Sequence, residues 1–213
     1  MTPARHPALD GHQAALRSIA RVVDETAPLQ DPETASRGLL RLLEETRPLV
    51  ITGAGVSTDS GIPDYRGPNG SLHRHRPMTY QEFLHDRAAA HRYWARSFVG
   101  WRRFHAARPN AAHHLVTDLQ RLGAVGPVIT QNVDGLHQAA GTTDVIDLHG
   151  SLAEVVCLTC GARERRVDLD ERMSADNPGF DVDSDEIRPD GDVRLDSVDV
   201  ERFRAPICQT CGA

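Results

Sequence analysis

A glycine-rich stretch follows a short apolar run near residue 50 and is the first place where residue types suggest chemistry. Residues 49–52 have the pattern of a buried parallel strand, and Gly53, Gly55 and Gly61 follow it. Glycines directly after a strand let the backbone turn tightly and approach a ligand closely. The spacing is not GxGxxG, and no GKS or GKT follows. The stretch therefore fits either a phosphate-binding loop or an ordinary glycine turn.

Two other predicted strands are also followed at once by polar residues. The strand at 127–130 runs into residues 131–134, which read QNVD, and the strand at 145–148 runs into His149. Ligands of open parallel sheets bind beyond the carboxyl ends of the strands, so we expect these residues to meet the glycine stretch. A lone histidine is usually structural. At this position, beside Asn and Asp, it is equally a candidate general base near neutral pH.

The four cysteines fall as two CxxC pairs, Cys157 with Cys160 and Cys208 with Cys211, and 47 residues separate the pairs. Without a secretory signal, such paired knuckles favour a zinc site over disulfides. Four thiolates satisfy the tetrahedral preference of Zn²⁺ and leave no open position for catalysis, so we expect one structural zinc ion. A redox-active dithiol pair is the alternative.

The elements around these residues predict an α/β fold. Asp31 and Pro32 are suited to the N-cap and first position of a helix that precedes the first strand, and Asn110 begins a second helix before residues 127–130. The order strand, helix, strand, connection, strand predicts a parallel sheet. An aromatic stretch lies between the first strand and Asn110. Its helical spacing favours a core face over a base-stacking platform, and its members are Trp94, Phe98, Trp101 and Phe104.

Composition narrows the class of protein. The chain has 213 residues, a formal charge of −6 and no lysine, because all 24 basic residues are arginine. Schiff-base and P-loop lysine chemistry are therefore excluded within the chain. The acidic balance argues against a nucleic-acid partner. No run of 18 apolar residues and no secretory h-region is present, so we predict no membrane span and a cytoplasmic location.

A strongly acidic segment occupies residues 168–201, with 13 Asp or Glu against 3 Arg. Such a charge balance, together with several Pro and Gly residues, predicts a solvated insertion. Asp181, Asp183 and Asp185 alternate as in a calcium loop, but no glycine stands at the required place, so an EF-hand is excluded.

Four motifs in sequence order resemble those of the sirtuins, which are NAD-dependent protein deacylases. They are GAGVSTDSGIPDYR, TQNVDGLH, LHG and the two CxxC pairs. The stretches RYWARSFVGWRRFHAARPNAAH and PDGDV look like the class II branch, which includes the mitochondrial sirtuin associated with ADP-ribosyl transfer and lipoamide removal. The resemblance runs from about Asp31 to the last residue. It implies a Rossmann-like α/β sheet with a small helical and zinc-binding module.

The resemblance also implies a division of the chain into parts. Residues 1–30 are expected to be an N-terminal extension, and residues 31–70 together with 106–150 are expected to form the Rossmann-like NAD-binding domain. A helical module is expected at 71–105, and a zinc-binding module with the acidic insertion at 151–213.

Roles for individual residues follow from the matched motifs. The residues expected to cradle the NAD pyrophosphate and ribose are Gly53, Ala54, Gly55 and Ser57. Those expected in a mobile cofactor loop that shapes the nicotinamide pocket are Ile62, Asp64, Tyr65 and Arg66. Gln131 and Asn132 would hold the nicotinamide ribose and assist catalysis, Asp134 would bind the carboxamide, and His149 would be the catalytic base. Cys157, Cys160, Cys208 and Cys211 would bind structural zinc.

The implied reaction transfers an acyl group from a substrate lysine to ADP-ribose and releases nicotinamide, with an acylated protein as the partner. His149 would activate a ribose hydroxyl in this reaction. Sirtuins continue well past the fourth cysteine, whereas this chain ends two residues after Cys211. We therefore expect either a truncated gene product or part of a longer protein, in both cases a sirtuin whose sheet lacks its C-terminal part. An inactive remnant that acts as a zinc-containing interaction module is the alternative.

Overall fold

The computed structural model describes residues 30–65, 78–182, 184 and 188–213. Arg66, assigned above to the cofactor loop, lies outside these residues, as does nearly all of the predicted N-terminal extension. Among the residues described, no helix is both long enough and apolar enough to cross a membrane.

The first helix of the described residues begins where the sequence predicts. Helix α1 runs from Pro32 to Glu45, and the Asp31 carboxylate accepts a hydrogen bond from the Thr34 backbone N–H at 2.9 Å. Asp31 thus satisfies one of the backbone donors that a helix leaves free at its start. Proline is tolerated at the next position because its missing N–H would have had no helical partner.

A parallel three-stranded sheet carries the candidate site. Its strands are β1 (Val50–Thr52), β2 (Val128–Thr130) and β3 (Val145–Asp147), in the spatial order β1-β2-β3. Thr52 lies opposite Thr130, and Thr130 lies opposite Asp147. The predicted parallel α/β sheet is confirmed. Because the three strands end level with one another, the residues that follow them begin at one edge.

Helices connect and flank these strands. Between β1 and β2 lie a 3-10 helix (Ala54–Ser60), α2 (Tyr80–His85), α3 (Arg87–Ala106) and α4 (Ala111–Arg121). Helix α5 (Leu136–Ala140) follows β2. An antiparallel hairpin of β4 (Glu154–Val156) and β5 (Arg163–Arg165) follows β3, and then α6 (Arg166–Asp176) and α7 (Ser197–Arg202).

The larger hydrophobic core lies among α3, α6 and α7. Its fully buried members include Phe98 on α3, Met173 on α6 and Val193, and Phe203 just after α7 packs against Phe98 with ring centroids 5.3 Å apart. The predicted core face of the aromatic stretch is confirmed, since Phe98, Trp101 and Phe104 are buried and the partly buried Trp94 packs against the larger core.

The prediction of a solvated insertion over residues 168–201 is wrong for the residues described there. This segment supplies Leu169, Met173, Phe180, Val193 and Val200 to the larger core. Some acidic residues of the segment lie close to this core, where arginines pair with them. Arg166 reaches Asp170 at 3.6 Å, and Arg188 pairs closely with Asp192. The prediction failed because it was based on the net charge of the segment and not on the apolar residues spaced along it.

Candidate active site

Hydrogen bonds across the sheet join the ends of its three strands. The Gln131 backbone N–H donates to the Thr52 carbonyl at 3.0 Å, and the Leu148 N–H donates to the Thr130 carbonyl at 2.9 Å. These bonds continue the ladder one residue past each strand. The glycine turn, the QNVD segment and His149 are therefore held at one edge, as the sequence predicts.

His149 is exposed at this edge and is oriented by a backbone carbonyl. Its Nδ1 lies 3.0 Å from the Gln131 carbonyl oxygen. A carbonyl oxygen can only accept a hydrogen bond, so Nδ1 carries the proton and the lone pair of the neutral ring is on Nε2. A histidine held in this tautomer can take a proton from a ligand hydroxyl through Nε2.

Asn132 connects the end of β2 to the glycine turn. Its buried side chain donates through Nδ2 to the Gly53 carbonyl at 3.2 Å and to the Ser57 hydroxyl at 3.1 Å. Its backbone N–H donates to the Thr130 hydroxyl at 3.1 Å. Asn132 is thus fixed at both its backbone and its side chain, and it fixes the turn in return.

Ser57 and Asp134 form the other connection between the turn and the QNVD segment. The fully buried Ser57 hydroxyl donates to Asp134 Oδ2 at 2.7 Å, and Asp134 Oδ1 accepts from the Leu136 N–H at 2.9 Å. The latter bond supports the start of α5, where Gly135 itself offers no side-chain cap. In this structure both side chains make internal contacts, and their roles toward NAD stay predictions.

The glycine turn leaves space for a ligand. A Cβ built on Gly55 meets no atom of the described residues within 4 Å, and Gly55 is not among the glycines with positive φ. Within the described part of the chain, neither packing nor backbone strain therefore demands glycine there, whereas a ligand that closely approaches the backbone of the turn would. Gly61 differs, because its φ of +84° is the left-handed conformation that ends the 3-10 helix.

The described part of the predicted cofactor loop is only partly accessible. Ile62 is 3% exposed and packs with Phe104 and Leu136 in a second, smaller core, while Asp64 and Tyr65 are half-buried. Burial raises the pKa of the Tyr65 hydroxyl, and the Asp190 carboxylate adds to that rise, so Tyr65 is a neutral phenol at physiological pH.

The structure adds residues that the sequence analysis did not single out. The Thr52 hydroxyl donates a hydrogen bond to the Thr130 hydroxyl at 2.9 Å and lies 3.0 Å from Nε2 of the buried His137. A signal for the two threonines was present, because β1 and β2 both read VIT and the threonine ends each strand. His137 is the last residue of the TQNVDGLH motif, but the sequence assigned it no role, since that role depends on which strand its helix covers.

The four cysteines meet at a separate place. Their sulfur atoms all lie within 4.8 Å of one another, and one cysteine of each CxxC pair faces one of the other, Cys157 with Cys211 and Cys160 with Cys208, both at 3.7 Å. Four sulfurs placed about 2.3 Å from a zinc ion at the corners of a tetrahedron are about 3.8 Å apart. The cluster therefore fits a tetrahedral metal ion.

The two halves of this cluster have the same local structure. In each half, the backbone N–H of the first cysteine donates to the carbonyl of the residue five positions later, from Cys157 to Ala162 and from Cys208 to Ala213, both at 2.8 Å. The carbonyl of the same cysteine accepts from the backbone N–H of the glycine four positions later. Both knuckles read CxTCGA and turn on a left-handed glycine. Backbone N–H groups of Cys160 and Thr159 lower the pKa of the Cys157 thiol, and those of Cys211 and Thr210 lower the pKa of the Cys208 thiol. Although the Ala213 N–H acts to lower it, the pKa of the Cys211 thiol is raised by the neighbouring thiols of Cys160, Cys157 and Cys208.

A Rossmann-like α/β sheet with converging strand ends, beside a four-cysteine cluster, defines the class of this protein. Comparison with known proteins makes the assignment specific. The sequence profile of the Sir2 family matches residues 53–213. The chain belongs to the Sir2 family, the sirtuins.

Curated relatives carry consistent names. The NAD-dependent protein deacetylase 1 of Corynebacterium efficiens is 54% identical over 183 residues, covering 84% of this chain and 65% of the relative. The protein of the same name from Streptomyces coelicolor is 55% identical over 164 residues, covering 77% and 55%. The NAD-dependent protein deacylase Sirt4 of Drosophila melanogaster is 45% identical over 174 residues, covering 80% and 56%. The chain thus spans between 55% and 65% of the length of these relatives.

Solved structures agree with this assignment. A Sir2 structure with a deacetylated p53 peptide and 3′-O-acetyl ADP-ribose has a TM-score of 0.60 and 30% identity, covering 83% of this chain and 61% of that one. A Sir2 structure with a p53 peptide and NAD⁺ has a TM-score of 0.58 and 31% identity, covering 83% and 60%. The Rossmann-like fold class is confirmed.

Proposed function

We propose that this protein is an NAD-dependent protein lysine deacylase that transfers the acyl group from lysine to ADP-ribose and releases nicotinamide. The observation that carries the proposal is the orientation of His149. Its Nδ1 is bound to the Gln131 carbonyl, so its basic Nε2 is available at the strand edge that also carries Asn132 and the glycine turn. NAD and an acylated protein are the substrates, and curated relatives named as NAD-dependent deacetylases support them.

In this proposal NAD supplies the ribosyl group that accepts the acyl group, and nicotinamide is its leaving group. The open space at Gly55 would receive the pyrophosphate, together with Gly53 and Ala54. Gln131 and Asn132 would contact the nicotinamide ribose, and Asp134 the carboxamide. Ile62, Asp64 and Tyr65 would enclose the nicotinamide, because an enclosed site keeps water from intercepting a reactive ribosyl group.

His149 would act as the general base in the acyl transfer. Its Nε2 takes a proton from a ribose hydroxyl, and the Gln131 carbonyl stabilises the charged ring that results by accepting the Nδ1–H bond. The absence of lysine from the chain agrees with a substrate that brings its own lysine. The solved Sir2 structures with p53 peptides support a protein substrate.

We also propose that the four cysteines hold one structural zinc ion. The separations of their sulfurs fit a tetrahedral ion, and four thiolates leave no position for a reacting ligand. The class II assignment rests on the resemblance of residues 92–113 and 189–193 to that branch. Transfer of ADP-ribose to protein stays a prediction that product analysis separates from deacylation.

The test is turnover by the 213-residue chain with NAD and a panel of acyl-lysine peptides. We expect one acyl-ADP-ribose per nicotinamide released, measured by mass spectrometry, and a loss of at least about 100-fold in His149→Ala. His85→Ala, which removes an exposed histidine on α2, is the matched control and is expected to leave turnover unchanged.

Nicotinamide release at the same rate in His149→Ala would contradict the assigned base. If the product is ADP-ribosylated protein and not acyl-ADP-ribose, the activity is ADP-ribosyl transfer and the proposed deacylation is wrong. A folded wild-type chain without turnover on any peptide would favour the interaction module instead.

A further inference from the structure

Two buried histidines lie beneath the strand ends and take no part in the proposed chemistry. His113 on α4 is 0% exposed and His137 on α5 is 1% exposed. Their ring centroids are 4.9 Å apart, and the rings meet edge to face at 61°. Histidine is rarely buried to this degree without a structural or functional reason, and each of these two begins a path of hydrogen bonds that reaches the candidate site.

The path from His137 ends at the backbone of Asn132. His137 Nε2 lies 3.0 Å from the Thr52 hydroxyl, the Thr52 hydroxyl donates to the Thr130 hydroxyl at 2.9 Å, and the Asn132 N–H donates to Thr130 at 3.1 Å. Because the single hydroxyl proton of Thr52 is given to Thr130, Thr52 must accept from His137. His137 Nε2 therefore carries a proton, and its Nδ1 holds a lone pair.

The path from His113 ends at the glycine turn. Asn110 is the N-cap of α4, and its backbone N–H donates to His113 Nδ1 at 3.3 Å in a capping box. The Asn110 side chain donates through Nδ2 to the Val56 carbonyl at 2.8 Å. His113 thus supports the residue that holds Val56, one position before the Ser57 hydroxyl that binds Asn132.

Each ring contacts its path through one nitrogen. His113 Nδ1 lies 3.3 Å from the Asn110 backbone nitrogen, from which it accepts in one tautomer, and 3.0 Å from Asn110 Oδ1, to which it donates in the other, whereas His137 has its lone pair on Nδ1. Among the described residues, His113 Nε2 and His137 Nδ1 are both buried without a hydrogen-bond partner. The charged groups nearby are Asp134 and Asp147, and His114 adjoins His113. His113 contacts Asn110 in either neutral tautomer, so a neutral pair of rings keeps both paths at once.

We infer that His113 and His137 are positioning residues that fix the Asn132 backbone and the Val56–Ser57 turn for NAD. The part of this inference that concerns NAD rests on the proposed function. The hydrogen-bonded paths themselves can be tested without turnover, and the experiment below separates the two.

The experiment compares variants that break the His137 path with variants that keep it. Thr52→Val removes the central hydroxyl with little change of shape, and Thr52→Ser restores it. His137→Leu removes the donor to Thr52, and His137→Gln keeps an amide N–H in its place. Thr117→Val is the control for the path through Thr52. Its buried hydroxyl on α4 donates to the His113 carbonyl at 3.0 Å and lies 2.7 Å from the Thr142 hydroxyl, but it binds neither Thr52 nor Thr130.

Hydrogen exchange of the Asn132 backbone amide, measured by NMR, tests whether the path fixes this part of the backbone. Titration with NAD tests whether that positioning affects NAD binding. We expect amide exchange to become at least about tenfold faster in Thr52→Val and His137→Leu and to return toward the wild-type rate in Thr52→Ser and His137→Gln. The Kd for NAD should rise about tenfold in the first two variants only. If His137→Leu does not fold, the two Thr52 variants decide the result.

Asn132 exchange that is unchanged in Thr52→Val would overturn the inference. Equal acceleration in Thr117→Val would also overturn it, because the effect would then be a general loss of stability. If the exchange pattern holds but the wild-type chain binds no NAD, the positioning paths stand and the proposed function is contradicted.

Discussion

At the residue scale, one backbone carbonyl determines what His149 can do. The Gln131 oxygen at 3.0 Å keeps the proton on Nδ1, and this leaves Nε2 as the basic atom. The sequence identified both residues from their positions after parallel strands. It could not supply the tautomer, because that depends on the register that brings the Gln131 carbonyl beside a histidine 18 residues away.

The buried histidine pair predicts a pH dependence of stability. Burial lowers the pKa of both His113 and His137, and the neighbouring ring of His113 lowers that of His137 further. Each ring is therefore neutral in the folded protein at a pH where the unfolded chain, with a histidine pKa of about 6.5, is already protonated. The stabilisation of the folded protein by the neutral pair is therefore complete above a pH of about 6.5, and it is lost as the pH falls from there toward the lower pKa values of the folded state.

We expect the free energy of unfolding, measured with urea from pH 7.5 to 5, to fall as the pH is lowered. His137→Gln should show a shallower fall, because one of the two rings no longer titrates. An identical pH slope in the variant and the wild-type protein would refute this role of the pair.

At the element scale, helix α3 passes very close to the turn at residues 188–193. A Cβ built on Gly100 would stand 1.8 Å from the Gly191 carbonyl oxygen and 3.0 Å from the Val193 side chain. The obstacle is backbone, which cannot move aside as a flexible side chain can. Helix α3 and the acidic segment are therefore packed together as parts of one core, with Phe98 and Val193 among its buried members.

Gly100→Ala should destabilise the protein by roughly 3 kcal/mol, because the helix or the turn must shift to admit the methyl group. Gly38→Ala, in the interior of α1, is the control. No atom of residues 30–65, 78–182, 184 or 188–213 lies within 4 Å of a Cβ there, so alanine should be neutral or stabilising by up to about 1 kcal/mol. Urea denaturation measures both changes. Equal stability of Gly100→Ala and wild-type protein would contradict this packing.

The elements differ in how far the sequence could predict them. The strands at residues 50 and 128 and the helix after Asn110 were predictable, because apolar runs and capping residues act locally. The buried part of residues 168–201 was not, because its apolar residues are separated by acids and follow neither a period of 2 nor one of 3.6 across the whole segment. Only its contacts with α3 show that Val193 and Phe180 are interior.

At the scale of the whole molecule, the cysteine cluster joins parts of the chain that are distant in sequence. Its two knuckles lie at residues 157–162 and 208–213, and the intervening chain includes α6 and α7. The spacing of two CxxC pairs predicted a shared site. The separations of 3.7 Å between sulfurs of different knuckles agree with that prediction.

Removal of the metal should therefore destabilise the molecule without direct damage to the strand edge. We expect one zinc ion per chain by elemental analysis, and a fall in Tm on treatment with a strong chelator that zinc, but not magnesium, reverses. Cys160→Ser should lower the zinc content and the Tm together. A chain that is free of zinc yet has an unchanged Tm would exclude the structural ion.

The central claim is that three parallel strand ends form one NAD site, and calorimetric titration of the chain with NAD tests it most directly. We expect one NAD per chain and a Kd raised about tenfold in Gln131→Ala, which loses a predicted ribose contact. Gln138→Ala removes another exposed glutamine, whose side chain binds Asp147, and should leave the Kd unchanged. A folded chain that binds no NAD, or binds it equally well in Gln131→Ala, would contradict the account.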